Sequence, residues 1–79
     1  MPRYFLHLRD GIDIALDEEG NDFSSMEDLH AAALKSARDC IAGDAQAGRI
    51  DLRQRIDAED ENGGVVFSLP FADAVTIIA

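Results

Sequence analysis

Seventy-nine residues carry 16 Asp and Glu against 7 Lys and Arg, a formal net charge of −9, and 47% of them are hydrophobic. That length allows a single small domain over residues 1–79, and the apolar fraction is high enough to fold it despite the charge. The acidity excludes nucleic acid as the main partner, because phosphate binding needs neutralising Lys and Arg.

The chain opens on two period-two patterns. Tyr4, Leu6 and Leu8 alternate with Phe5, His7 and Arg9; Ile12, Ile14 and Leu16 alternate with Asp13, Ala15 and Asp17. On either side of Asp10-Gly11 they predict a β-hairpin. A two-residue Asp10-Gly11 turn would set Arg9 against Ile12 and His7 against Ile14, mixing polar and apolar sets. A three-residue loop, Arg9-Asp10-Gly11 with Gly11 left-handed, sets Leu8 against Ile12, Leu6 against Ile14 and Tyr4 against Leu16, all on one face. This is the expected register. It turns Phe5, His7 and Arg9 to the opposite face and places His7 across from Asp13.

Residues 17–22 form an acidic, turn-rich connection. Ser24 and Glu27 have capping-box spacing, and Ser25 is an equal candidate for the helix cap. Glu27 and Asp28 suit the positive end of a helix dipole. Met26, Leu29, Ala33, Leu34, Ala37, Cys40 and Ile41 fall on one arc of a helical wheel, with Asp28, Lys35, Arg38 and Asp39 opposite. Gly43 or Gly48 ends the helix. His30 falls inside the apolar arc and reads as structural; Cys40 reads as a small buried hydrophobe with an inert thiol.

Beyond the helix, Leu52, Ile56 and Ala58 alternate with Arg53, Arg55, Asp57 and Glu59. The Asn62-Gly63 pair signals a second hairpin. Loops of two or four residues share one parity, pairing Ala58 with Phe67 and Ile56 with Leu69. Val65, Phe67, Leu69 and Phe71 then face inward, and Val66 and Ser68 outward. Pro70 has no amide hydrogen, so it marks an edge or the end of that strand. The apolar tail, 72–79, is expected to add a short strand through Val75-Thr76-Ile77. The resulting order is β-β-α-β-β: an α+β two-layer sandwich, an antiparallel sheet with one helix packed on one face.

No apolar run approaches the roughly 20 residues that span a bilayer, and the opening residues lack the apolar stretch of a secretory leader. One cysteine makes no internal disulfide and suits a reducing cytoplasm. Cys40, His7 and His30 are too few for a structural zinc site. The acidic stretch from Asp57 misses the calcium-loop pattern, with Asn62 where Gly is needed and Ser68 where Glu is needed. No metal and no cofactor are expected.

Arg3-Tyr4-Phe5-Leu6-His7-Leu8-Arg9-Asp10-Gly11 and Asp17-Glu18-Glu19-Gly20 resemble the opening of a small, mostly alphaproteobacterial family of unknown function. The similarity continues through Ala37-Arg38-Asp39 and Pro70-Phe71-Ala72-Asp73-Ala74-Val75. It implies a free-standing cytoplasmic domain and makes Phe5, His7, Arg9 and Gly11 part of a shared pattern. It implies no activity, cofactor or catalytic residue.

The uncovered sheet face is expected to carry Arg3, Phe5, His7, Arg9, Arg53 and Arg55, with Asp13, Asp57, Glu59, Val66 and Ser68. Phe5, His7, Arg9, Arg53 and Arg55 are the candidate binding residues, since aromatic and Arg side chains anchor protein interfaces. Phe5 has no second aromatic beside it, so the face offers no platform for stacking RNA bases. A catalytic His7 would need a nucleophile and an orienting group, and Ser68 is the one outward hydroxyl. The sequence therefore predicts a non-catalytic interaction module that self-associates through the open face or an edge strand. The alternative is a regulatory domain that binds an anionic small molecule or acidic peptide on the Arg-bearing face.

Overall fold

A computed structural model describes residues 2–11 and 13–79. In chain order the elements are β1 Arg3–Asp10, β2 Asp13–Ala15, β3 Asn21–Asp22, α1 Met26–Gln46, β4 Arg55–Glu59 and β5 Val65–Pro70, followed by a 3₁₀ turn at Phe71–Asp73. The strands form one antiparallel sheet in the order β2-β1-β4-β5, with β3 also paired to β1. The helix packs on one face of this sheet, giving the α+β sandwich that the sequence predicts.

The helix starts where Ser25 accepts the Asp28 amide hydrogen at 3.0 Å, with Glu27 and Asp28 in its first turn. Leu29, Ala33, Ala37 and Ile41 recur every fourth residue and make its buried stripe. The two alanines let the helix axis approach the sheet closely. Beneath them lie Ile56, Leu69, Phe71 and Ala74. Full burial of a side chain the size of Leu29 or Phe71 stabilises by about 1.5–3 kcal/mol. Of the two stop signals, Gly48 is the one used: its φ of 92° turns the chain, and the Arg49 amide returns to the Asp44 carbonyl at 3.2 Å. Asp44, inside the apolar arc of the wheel, is matched by the buried Gln54 amide at 3.2 Å. Arg38 reaches off the polar face to the Ala74 carbonyl at 2.8 Å and ties the tail to the helix.

The second hairpin has the predicted parity, with Ile56 opposite Leu69 and Ala58 opposite Phe67. A bulge then shifts the register so that Glu59 pairs with Val65. Val65 is therefore exposed rather than inward, and Val66 is exposed beside it.

The first hairpin departs from expectation. Leu8 pairs with Ala15, Arg9 with Ile14 and Asp10 with Asp13, so Arg9 and Asp10 belong to the strand and not to a three-residue loop Arg9-Asp10-Gly11. Ile12, expected opposite Leu8, lies outside the described residues. Gly11 is left-handed as expected, with φ 62°. The register puts Ile14 on the same face as Arg9, and His7 pairs with Asp57 of β4 instead of Asp13. The cause is the place of β2 in the sheet. β1 takes its parity from β4, where Leu6 and Leu8 meet Ala58 and Ile56 under the helix, whereas β2 is a three-residue edge strand that no helix residue needs to bury.

Three further expectations are corrected. The acidic connection is not merely a turn, because Asn21 and Asp22 pair with Tyr4 and Arg3 as a fifth strand. Arg53 lies outside the sheet, in the turn before β4. The tail forms the 3₁₀ turn and then irregular chain, with no strand through Val75-Thr76-Ile77. Arg38 holds Ala74 and Val75 packs on the core, while Ile77 and Ile78 stay exposed.

Candidate functional site

The chemistry-bearing residues converge on the uncovered face, around Asp57. Strand alternation points Asp57 away from the helix, yet it is only 3% exposed. A carboxylate so nearly dry must be paired and hydrogen-bonded. Three donors meet it: Arg9 Nε, Arg55 Nε at 3.0 Å and Ser68 Oγ at 2.6 Å. Burial alone would raise its pKa, but the hydrogen bonds from Ser68, Arg55 and Arg9 outweigh that and hold the carboxyl below its ordinary value. Arg9 and Arg55 are cross-strand partners and would repel each other. Asp57 beside them and Glu59, 3.8 Å from Arg9 Nη2, bring this group of four charges to neutrality.

Next to this network His7 is buried on the same face. Its Nδ1 accepts the Asp17 amide hydrogen at 3.0 Å, so a neutral ring carries its proton on Nε2, which lies 3.7 Å from Glu59 Oε2. Phe5 stacks on the imidazole with ring centres 6.3 Å apart and planes 9° from parallel. Asp17 also accepts the Leu6 amide at 3.2 Å and the Gly20 amide at 3.0 Å. Those bonds fold residues 17–20 over β1. Gly20, with φ 67°, closes the contact: a Cβ there would stand 2.8 Å from the Phe5 ring and from the Tyr4 carbonyl oxygen. Phe5 is consequently half-buried and is not the exposed anchor that the sequence led us to expect.

Four of the five candidate binding residues, Phe5, His7, Arg9 and Arg55, thus share one surface. Arg53 is elsewhere, bonded through Nε and Nη2 to the Asp51 carboxylate at 2.9 Å. Hydrogen bonds from the Arg53 side chain and amide hold Asp51 at a pKa of about 2. Sequence reasoning overlooked Asp17 and Gly20. The signal for them was an Asp followed three residues later by Gly, the spacing of a side-chain-capped turn.

The geometry constrains the chemistry. His7, Asp57 and Ser68 form one row across β1, β4 and β5, but Asp57 occupies the middle, where an acyl-transfer triad needs its histidine. Ser68 donates to a carboxylate already held by two guanidinium groups. His7 lies two strand spacings from Ser68, about 10 Å, beyond hydrogen-bond reach of the hydroxyl. A shallow cleft of about 330 Å³ is lined by Asp10, Asp44, Arg49, Asp51 and Gln54. Its buried amide is already committed to Asp44 and the Asp51 carbonyl.

Fold and site together define a small helix-covered β-sheet domain whose open face is neutralised from within. The chain belongs to the family described as Domain of unknown function (DUF6894), whose pattern matches residues 3–72, from β1 into the 3₁₀ turn. No curated protein and no solved structure matches the chain. No helix among the described residues is long and apolar enough to cross a membrane.

Proposed function

We propose that this chain is a non-catalytic interaction module of the cytoplasm that associates with a second copy of itself. The observation that carries the reading is the division of labour on the sheet. Its charged centre is closed on itself, while Ile14 and Leu16 near one edge and Val65 and Val66 at the other stay exposed. Two chains that each bear nine net negative charges repel, so a stable contact has to be made where charge is absent. The lone Cys40 fits a reducing compartment.

The anion-binding alternative is the weaker reading. Arg9 and Arg55 are engaged by Asp57, and Arg53 by Asp51, so an incoming anion would have to displace a carboxylate at each. Sedimentation velocity over a concentration series tests the proposal. A sedimentation coefficient that rises with concentration to that of a dimer is expected; a monomer at every concentration overturns the reading.

A further inference from the structure

We propose that the self-association reading resolves to one contact: two copies pair antiparallel through the free edge of β5, about a two-fold axis at Ser68. The inference rests on the self-association proposed above and supplies its surface and register.

The backbone pattern identifies what the edge offers. The Phe71 amide donates to the Gln54 carbonyl at 2.9 Å, continuing the rows Leu69–Ile56 and Phe67–Ala58. Alternate residues of an antiparallel strand point their N–H and C=O to opposite sides. Phe67, Leu69 and Phe71 therefore turn theirs toward β4, leaving the Ser68 N–H and C=O and the Pro70 C=O on the outer side. No strand among the described residues pairs with that side.

Charge and the state of the other edge select the occupant. Val65–Pro70 carries no charged side chain, although 29% of the chain is charged. An exposed apolar edge strand is a template for another strand, and for a chain of this acidity an uncharged edge is where a second copy meets least repulsion. The opposite edge is broken into two pieces: β2 and β3 are three and two residues long, and Asp17 Oδ2 takes the Leu6 amide of β1 in the gap between them. Growth through β5 stops at two subunits, because an isologous contact consumes that edge in both.

Pro70 and the Val66 bulge fix the register. A two-fold axis at Ser68 lets Ser68 of each subunit exchange both backbone hydrogen bonds with its counterpart, with Phe67 facing Leu69 of the partner subunit on the helix side. Pro70 then lies on the outer side with no donor to contribute, and the bulge ends the flat part of the strand at its other end. The result is a short ladder and a reversible dimer whose two helices share one face of a continuous sheet.

The test uses two substitutions with opposite expected effects, read by sedimentation equilibrium with far-UV circular dichroism as the check on folding. Ser68→Lys sets two ammonium groups directly across the axis and is expected to weaken the dimer about tenfold or more. Pro70→Val returns an amide donor to the free edge of each subunit and is expected to tighten it roughly five- to a hundredfold. In the wild-type chain, exchange of the Ser68 amide should slow as concentration rises. A dimer whose dissociation constant neither variant moves overturns the β5 contact and leaves self-association standing. A wild-type chain that never dimerises overturns both.

Discussion

Asp57→Asn leaves the size of the side chain nearly unchanged and removes its charge. The Asp57 carboxylate accepts from Arg9, Arg55 and Ser68 while almost wholly buried. Hydrogen bonds to a charged group contribute about 1.5–3 kcal/mol each. Arg9 and Arg55 are 33% and 47% exposed, so water recovers part of what they lose. Their mutual repulsion across β1 and β4 then goes unneutralised. Together these effects put the loss at roughly 2–4 kcal/mol, a large share of the ~4–12 kcal/mol expected for a domain of this size. Urea unfolding followed by the circular dichroism of the long helix should show the midpoint fall by about 1–4 M. The pH dependence has a defined sign. Asp57 titrates lower in the folded chain than the ordinary value of about 3.9. Its contribution is therefore complete above that ordinary value and drains away as pH falls through the folded one. The gap between wild type and variant should be wide at neutrality and narrow in strong acid. A gap under about 0.5 kcal/mol at neutrality, or one equally wide in acid, would refute the idea that this carboxylate holds the open face together.

Two other substitutions or modifications probe the surroundings of that network. Gly20→Ala combines a left-handed backbone with a Cβ 2.8 Å from Phe5 and Tyr4, and should cost about 1–3 kcal/mol in thermal or urea unfolding; an unchanged midpoint would mean that residues 17–20 do not rest on Phe5. Burial, with Asp44 and Asp39 nearby, pushes the Cys40 thiol upward, so alkylation by iodoacetamide near neutral pH should be slower than for a free cysteine and speed up on unfolding. Equal rates in folded and unfolded chain would contradict that environment.

The elements that bury apolar area were legible from the residues alone. The four-residue recurrence of Leu29, Ala33, Ala37 and Ile41 predicts the helix and its buried side. The parity of Ile56 and Ala58 against Leu69 and Phe67 survives any even loop length. What escaped was governed by hydrogen bonds to single polar groups. The parity of β2 is not enforced by burial, so its alternating Ile14 and Leu16 gave a false guide to the register. Asp17 organises that edge through two amide hydrogens and His7 through a third, and periodicity carries no information about such contacts. The candidate site was half legible for the same reason. Alternation placed Phe5, His7, Arg9, Arg55 and Asp57 on one face, but their exposure depended on Gly20 lying over Phe5 and on which arginine reached which carboxylate. Arg53 shows the converse: its alternation with Arg55 implied a strand, whereas Asp51 two residues earlier holds it in a turn.

The first strand of the domain, β1, is an inner strand of the sheet. Arg9 meets Asp57 across a separation of 48 residues, so β1 cannot complete its ladder until β4 has been made. At typical elongation rates that interval is roughly 2–10 s, far longer than hairpin or helix formation takes. During it β1 has β2 and β3 to pair with on one side, while its other side waits for β4. The acidic stretch that follows sets carboxylates beside that strand, with Asp17 accepting the Leu6 amide, so the half-built sheet carries negative charge next to its apolar residues.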